Sequence, residues 1–332
     1  MLEAMTRAEL GDDVLGDEPT VIRLQEKFAT LLGKPAACFV PTGTMANQTS
    51  IRAHTEPGDE VIGHGDSHII HYETGGPAAL SGVMIRPLCG AMGQFDAEDV
   101  AAAVRPESVH APRSRLLVVE NTQNRGGGSV WAMERVERVT RKARELGLRL
   151  HLDGARLWNA SIASGHKPAD FAKHFDTVSC CFSKGLGTPA GSAVAGDVET
   201  IKRVHRFRKM FGGAMRQSGI LAAAAIYAMD HHVQRLAEDH ANAKRLAEGV
   251  ANIKGLVLDA EQAKGGVESN IVFFDIEPSL GLTGADLCAR LKSRGVLMLP
   301  PGPRRIRAVT HLDVSRGDID RAIASLAEAI RA

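Results

Sequence analysis

The sequence predicts an α/β protein in which a large domain, with a mostly parallel sheet covered by helices, precedes a small C-terminal α+β domain. A chain of 332 residues is too long to fold around one small hydrophobic core. Between residues 34 and 196, short apolar runs alternate with amphipathic stretches, a pattern typical of buried parallel strands connected by helices. After residue 270, two apolar runs are each followed by a helix-like segment, which predicts the smaller domain.

The elements of the large domain follow from these apolar runs and from the residues that flank them. Helix 96–104 opens with acidic residues, which the positive end of a helix dipole favours. Helix 133–147 ends at Gly147, because glycine readily terminates a helix. The predicted order is strand 36–40, helix 44–54, strands 59–63 and 83–88, helix 96–104, strand 115–121, helix 133–147, and strands 148–153, 177–183 and 192–196.

The pattern changes after residue 196. A mainly helical stretch covers residues 199–252. The elements predicted beyond it are strand 270–276, helix 284–295, strand 305–314 and helix 316–332. We place the domain boundary within the helical stretch, so that residues 1–235 form the large domain, with an N-terminal arm at 1–25, and residues 236–332 form the small one.

Composition excludes several classes of partner. The 40 basic and 39 acidic residues nearly cancel, and aromatic residues make up only 4%, which argues against nucleic acid. No apolar run reaches the roughly 18–20 residues that span a bilayer, and the N-terminus has no signal-peptide core, so we expect a cytoplasmic protein. The five cysteines fit neither a zinc site nor a disulfide framework, and no metal is expected.

The first segment that points to chemistry is SKGLG at 183–187, which places Lys184 directly after an apolar strand. A lysine in a dry pocket loses its charge more readily and can then form a Schiff base with a carbonyl compound. A surface lysine in a loop is the alternative, and the segment alone does not decide between them.

The second segment is HLDGAR at 151–156, in which Asp153 ends a buried strand. Ligands of open α/β sheets bind at that edge. A carboxylate held there can keep a pyridine nitrogen protonated, which makes the ring an electron sink. The planar guanidinium of Arg156 is suited to bind a carboxylate. The alternative is that Asp153 only caps a helix and that Arg156 is solvated.

The third segment is PTGTMANQ at 41–48, which follows a strand and opens a helix. Gly43 permits close backbone approach, and the amides of Thr44 and Met45 can hold a phosphate at the helix N-terminus. The segment matches neither a Walker loop nor a dinucleotide fingerprint, and an ordinary capped helix is the alternative. The order of phosphate loop, aspartate and lysine is that of a fold-type I pyridoxal-phosphate enzyme.

The amino-acid sequences of these and other segments indicate one particular family within this fold type. The sequence resembles the low-specificity L-threonine aldolase family in order over nearly its whole length. The resemblance rests on PTGTMANQ, GDSHIIHYE, VVENTQNRGGG, HLDGARLWNASIASG, SKGLGTPAGS, RKMFGGAMRQSGILAAA and IRAVTHLDVS.

The resemblance implies a pyridoxal 5'-phosphate site. Lys184 would hold the cofactor, Asp153 would pair with its pyridine nitrogen, and His68 would stack on its ring near the substrate β-hydroxyl. Gly43 and Thr44 would hold the phosphate.

The resemblance also implies roles in substrate binding and assembly. Arg156, beside the cofactor, and Arg307 would bind the substrate carboxylate, while Lys209 and Arg216 would approach the site of a neighbouring subunit. We therefore expect a homo-oligomer, a dimer of dimers, with a small amino acid as substrate.

Two departures from the family pattern accompany the resemblance. Where the family usually has ENTHN, this chain has ENTQN, so Gln123 can hydrogen-bond but cannot titrate near neutral pH. We expect Gln123 to affect discrimination at the substrate β-carbon, or else to point to solvent. A segment similar to LRSDT, which would help line the site, has no equivalent here; a misassigned start and a real loss both stay open.

The expected activity is cleavage of L-threonine, L-allo-threonine and related β-hydroxy-α-amino acids to glycine and an aldehyde. Two alternatives stay open: a β-eliminating lyase of the same fold, and a homologue that binds the cofactor without turnover.

Overall fold

The computed structural model describes residues 1–331, which form two compact units. The first unit contains Met1–Gly126 and Trp131–Gln234. The second contains Gly127–Val130 and the chain from Arg235 onward. Over the described residues, the structure contains no helix that is both long and apolar enough to cross a membrane.

A seven-stranded sheet forms the centre of the first unit, with strand order β1-β7-β6-β5-β4-β2-β3. Strand β7 runs antiparallel to both of its neighbours, and the other pairs are parallel. The carboxyl ends of the six remaining strands therefore meet at one edge. The strands are β1 Ala36–Val40, β2 Glu60–His64, β3 Met84–Leu88, β4 Ser114–Glu120, β5 Arg149–Asp153, β6 Thr177–Cys181 and β7 Ser192–Gly196.

Eleven α-helices of the described chain connect and cover these strands. Proline at the start and a left-handed Gly33 at the end bound the second helix, which buries Leu24 and Phe28. The helices are α1 Leu2–Thr6, α2 Pro19–Leu32, α3 Gly43–His54, α4 His68–His71, α5 Gly76–Ser81, α6 Ala97–Ala103, α7 Met133–Glu145, α8 Leu157–Ser164, α9 Pro168–Ala172, α10 Val198–Met210 and α11 Gly219–His231. A 3₁₀ turn covers Ala91–Gly93.

The second unit packs helices on a three-stranded antiparallel sheet, ordered β10-β9-β8. Its apolar core includes Phe274, Leu287 and Leu326, all fully buried. The elements are helix α12 Leu236–Ala251, strand β8 Leu256–Leu258, helix α13 Ala260–Gly265, strand β9 Ile271–Ile276, helix α14 Gly284–Lys292, strand β10 Arg305–Val309 and helix α15 Arg316–Ala329, with a 3₁₀ turn at Pro278–Leu280.

Several predicted boundaries were wrong. The strand expected at 305–314 ends at Val309, because its partner β9 begins at Ile271, which pairs with Val309. Beyond it, the Thr310 hydroxyl donates to Asp239 O at 2.6 Å, and Ser315 caps α15. The mainly helical stretch predicted at 199–252 contains helices α10, α11 and α12. Helix α2 was not among the predicted elements.

Candidate active site

The candidate catalytic side chains lie on loops and helices that follow neighbouring strands. Helix α3 follows β1, α4 follows β2, and Lys184 follows β6. Asp153 is the last residue of β5. Because these strands point the same way, their carboxyl ends bring residues distant in sequence to one edge, where α/β proteins commonly bind ligands.

Asp153 is a buried carboxylate, 2% exposed. Its Oδ2 accepts from Asn47 Nδ2 at 2.8 Å, and its Oδ1 accepts from the amide of Ala155 at 3.1 Å. Burial alone would raise the pKa of Asp153, but the charges of His68 and Lys184 and the Asn47 hydrogen bond lower it below its usual value. The acid therefore stays ionised at neutral pH.

His68, the first residue of α4, pairs with a buried acid that the sequence reading did not single out. Its Nδ1 lies 2.8 Å from Glu73 Oε1. Burial lowers the pKa of His68, but the Glu73 hydrogen bond and the charges of Asp153 and Glu73 outweigh it, so the net shift is upward. Since an ionised Glu73 only accepts, Nδ1 donates to it and Nε2 is left for other chemistry.

Asn47, on α3, joins the two buried carboxylates. Its Nδ2 donates to Glu73 Oε1 at 2.7 Å and to Asp153 Oδ2 at 2.8 Å. Glu73 Oε2 also accepts from Gln48 Nε2 at 2.5 Å. One amide group therefore fixes the separation of the acid beside His68 and the acid that ends β5.

A second line of hydrogen bonds fixes the orientation of Asn47. His151 Nε2 donates to Asn47 Oδ1 at 3.1 Å, and Thr177 Oγ1 lies 2.9 Å from both His151 Nδ1 and His54 Nε2. Burial lowers the pKa of His151 to about 4, and burial and His151 lower that of His54 to about 3. With both rings neutral, His54 donates to Thr177, which donates to His151. We call Glu73, Asn47, Asp153, His151, Thr177 and His54 the Asn47 network.

Lys184 lies half-buried in the loop after β6. A turn in which its carbonyl accepts from the amide of Gly187 at 2.9 Å shapes this loop. The charge of Lys184 lowers the pKa of both Asp153 and His68, so the three groups interact electrostatically. The structure thus brings together the three residues predicted to be catalytic.

The predicted phosphate loop begins helix α3. Thr42 caps the helix and accepts from the amide of Met45 at 3.1 Å, so Met45 is not a phosphate donor as the sequence suggested. The amides of Gly43 and Thr44 are the first of the helix and have no intrahelical acceptor. A Cβ at Gly43 would lie 2.7 Å from Cys181 Sγ, so this position requires glycine.

Arg156 lies just after Asp153, where burial is the main cause that lowers its pKa. Its Nε is buried and has no hydrogen-bond partner among the described residues. A buried guanidinium N–H without a partner is costly, which favours an anionic ligand at this position.

Gln123 is fully buried, so the alternative of a solvent-facing side chain was wrong. Its Nε2 donates to Asp66 O at 2.9 Å, and its Oε1 accepts from Gly126 N at 2.5 Å. A Cβ at Gly93 would lie 2.3 Å from the Gln123 side chain. These contacts indicate that Gln123 holds its loop, and contact with a substrate stays a prediction.

The other predicted residues make contacts of their own. Arg307 lies on β10 of the second unit, where its backbone pairs with Leu299. Arg216 Nη1 pairs with Asp12 Oδ2 of the same chain at 2.7 Å. Lys209 is exposed near the end of α10. A cross-subunit role for Lys209 and Arg216 stays a prediction.

Ligand atoms of His68, Glu73 and Asp153 lie within 4.8 Å of one another, close enough to surround a metal ion. Both carboxylates, however, already accept hydrogen bonds from Asn47. The arrangement is satisfied as a hydrogen-bonded cluster.

The chain matches a family model described as "Beta-eliminating lyase" over residues 1–276. It is 40% identical to low-specificity L-threonine aldolase 1 of Arabidopsis thaliana, covering 99% of this chain and 92% of that protein. It is 41% identical to the low specificity L-threonine aldolase of Escherichia coli K12, covering 95% of this chain and 91% of that one.

Solved structures confirm the predicted fold class. The threonine aldolase of Leishmania major matches with a TM-score of 0.80 at 21% identity, covering 99% of this chain and 94% of that chain. Serine palmitoyltransferase of Sphingomonas wittichii matches with a TM-score of 0.75 at 18% identity, covering 99% of this chain and 82% of that chain. The family rests on the sequence relatives, whose identities are higher and whose alignments are nearly complete. The chain therefore belongs to the low-specificity L-threonine aldolase family, within the wider group of beta-eliminating lyases.

Proposed function

We propose that this protein is a pyridoxal-phosphate enzyme that cleaves L-threonine, L-allo-threonine and related β-hydroxy-α-amino acids to glycine and an aldehyde. The observation that carries the proposal is the grouping of His68, Asp153 and Lys184 around the Asn47 network. The names of the full-length relatives support the same reaction.

The residues present fit the cofactor by their chemistry. Asp153 is an ionised, buried acid suited to a pyridinium nitrogen, and the half-buried Lys184 beside it supplies an amine. The first amides of α3, at Gly43 and Thr44, suit a phosphate. The unpartnered Nε of Arg156 suits an anionic group of the cofactor or the substrate. When bound, pyridoxal phosphate supplies an electron sink connected to the substrate nitrogen.

Each residue then has a defined task. With the cofactor bound, Asp153 would keep the pyridine nitrogen protonated. Arg156 and Arg307 are the guanidinium groups that we propose for binding the substrate carboxylate. His68 Nε2, directly or through a water, accepts the β-hydroxyl proton as the Cα–Cβ bond breaks and the aldehyde forms. A proton then returns to Cα, which gives glycine.

Product analysis separates this proposal from its rivals. Purified protein loaded with pyridoxal phosphate is incubated with L-threonine and L-allo-threonine, and the products are quantified. Glycine with acetaldehyde supports the aldolase. A 2-oxo acid with ammonia would instead support a β-eliminating lyase, and bound cofactor without either product would indicate a binding protein.

Borohydride reduction tests the assignment of Lys184. It should attach the cofactor to Lys184, as found by peptide mapping, and a Lys184→Ala variant should take up no label. Label on Lys209 would contradict this assignment.

We also propose a cytoplasmic homotetramer, a dimer of dimers, that serves glycine biosynthesis and threonine catabolism. Residues 1–235 would bind the cofactor and residues 236–332 would form the small domain. The exposed Lys209 and the glycine-rich segment up to Arg216 support sites shared between subunits. Light scattering tests the assembly. Mixing Lys184→Ala protein with Arg216→Ala protein should restore activity if a site uses both subunits, and no restoration would contradict sharing.

A further inference from the structure

Glu120, the last residue of β4, connects two separate loops through its side chain. The residue is 6% exposed. Its Oε2 accepts from the backbone amide of His68 at 2.7 Å, and its Oε1 accepts from the backbone amide of Asn124 at 2.8 Å. The first donor begins α4, and the second lies in the loop that contains Gln123. Both oxygens of one buried carboxylate therefore hold backbone at the edge of the site.

We propose that Glu120 is a positioning residue for the reaction, whose carboxylate fixes the backbone of His68 and ties the 121–126 loop to the same point. The inference rests on the proposed function, because the position of His68 affects the reaction only if His68 takes part in proton transfer. A shift of a proton-transfer group by about 1 Å commonly costs a large factor in rate, up to about 10²-fold.

Glu120 and Asp153 form a pair of neighbouring acids with different tasks. They are register partners on the parallel strands β4 and β5, so their side chains leave the sheet on the same face. Asp153 accepts from the Asn47 side chain and from the backbone amide of Ala155, two residues along the chain, whereas Glu120 accepts from backbone amides of two separate loops. Glu120 is thus the acid that holds loops, and Asp153 is the acid that would face the cofactor.

Electrostatics make this loop attachment sensitive to pH near neutrality. Burial and the charge of Asp153 raise the pKa of Glu120 to about 7, while the two amides and the charge of His68 act against the rise. Arg156 also feels the charge of Glu120. An ionised carboxylate accepts more strongly than a protonated one, so the two loops should be held more firmly at pH 8 than at pH 6.

Hydrogen exchange measured by mass spectrometry on the cofactor-loaded protein tests the inference. We expect peptides covering residues 64–73 and 121–126 to be better protected at pH 8 than at pH 6 in the wild type, after correction for intrinsic rates. In Glu120→Gln, one of the two backbone amides faces the NH₂ group of glutamine, which cannot accept its hydrogen bond. At pH 8 at least one of the two peptides should therefore exchange about tenfold faster than in the wild type, and its exchange should no longer depend on pH after the same correction.

A matched variant controls for loss of a buried acid. Glu18 is also buried, and its Oε2 accepts from the amide of Gly11 at 3.0 Å. Glu18→Gln should leave both peptides unchanged. In the aldolase assay, Glu120→Gln should lower kcat more than it changes KM, because a displaced proton-transfer group affects the chemical step most.

The outcomes separate this inference from the proposed function. Unchanged protection in Glu120→Gln, or a wild type with no pH dependence in these peptides, would overturn the role of Glu120. The wild-type measurement decides even if the variant does not fold. Lost protection in Glu120→Gln, together with a wild type that releases no glycine, would overturn the proposed function and support the attachment of the loops.

Discussion

Burial and neighbouring charges have opposite effects on the pKa of the His68 imidazole. Burial favours the neutral imidazole, whereas Glu73 and Asp153 favour the cation, and the pKa is raised on balance. A proton acceptor must be neutral, so the step that uses His68 should become faster as pH rises through this raised pKa. If His68 is the proton acceptor, Glu73 therefore contributes to the pH range in which it can act.

We expect Glu73→Gln to move the rise of kcat/KM to lower pH. Glutamine removes the hydrogen bond from His68 to an ionised acceptor, so the pKa of His68 should fall. The loss of orientation should also reduce kcat about tenfold, as for loss of a charge-assisted hydrogen bond. The measurement is the pH profile of L-threonine cleavage together with NMR titration of the His68 ring.

Glu98, an exposed acid on α6, offers a control for that experiment. Glu98→Gln should leave the profile unchanged. A Glu73→Gln profile that coincides with the wild type would mean that Glu73 does not tune His68.

For Gln123, the geometry changes the outcome expected from the sequence. A direct contact with the substrate β-carbon predicts about a tenfold change in the ratio of kcat/KM for L-threonine and L-allo-threonine in Gln123→His, or about 1.4 kcal/mol. Because both amide ends already bond to Asp66 and Gly126, we expect both rates to fall and the ratio to stay within about twofold. A tenfold change in this ratio would instead support direct contact between Gln123 and the substrate.

Local motifs could predict some site residues but not those that hold them. Lys184 and Asp153 follow apolar strands, so their place at the sheet edge is readable from the chain. Glu73 meets Asn47 across 26 positions, and Asn47 meets Asp153 across 106, so both contacts depend on folding. No sequence signal gave the packing of Gln123 against Gly93, because it depends on the path of two loops.

At the scale of elements, the N-terminal arm is attached to the first unit by two adjacent acids in different environments. Asp13 Oδ2 lies 2.9 Å from Arg208 Nη1, with side chains 8% and 1% exposed. Arg208 also donates to Phe39 O on β1 at 2.8 Å. Asp12 pairs instead with Arg216, whose side chain is 63% exposed.

We expect Asp13→Asn to destabilise the protein strongly, by about 3–5 kcal/mol, because it leaves the buried Arg208 cation without its counter-ion. Asp12→Asn removes a neighbouring ion pair whose arginine is exposed, and it should destabilise the protein much less. Urea unfolding of both variants measures the difference. Equal effects would show that the arm contributes the same attachment at both positions.

Sequence patterns locate elements better than their ends. Strands β1 and β7 match the predicted ranges because both are short apolar runs bounded by polar or turn residues. Strand β10 stops early because its partner β9 begins at Ile271, which pairs with Val309, and no local pattern encodes that pairing. Helix α2 was not predicted, although Pro19 begins it and a left-handed Gly33 ends it.

At the scale of the whole molecule, buried neutral histidines link stability to pH. Burial lowers the pKa of His151 and His240 to about 4 and that of His54 to about 3. Their unfolded pKa is about 6.5, so between these values the unfolded chain binds more protons. Stability from these groups is present above pH 6.5 and is lost as pH falls towards 4, while Glu120, with a raised pKa, acts in the opposite direction.

We expect the free energy of unfolding to decrease between pH 6.5 and pH 5, with a slope of up to about 1.4 kcal/mol per pH unit for each net proton taken up. Urea titrations at several pH values measure it. His240→Gln should make the slope shallower, while a change at the exposed His110 should not alter it. A wild-type slope of zero or opposite sign would contradict the neutral state of these rings.

The side-chain amide of Asn47, which bridges Glu73 and Asp153, is also a position at which deamidation would disrupt the candidate active site. Spontaneous deamidation exchanges one NH₂ group for an oxygen and adds about one dalton. At Asn47 it would remove the shared donor and place a third acid between Glu73 and Asp153, both of which accept from it. Repulsion among three buried carboxylates would force at least one to take up a proton. A stored preparation could thus lose catalytic capacity through a change that gel electrophoresis by size would not detect.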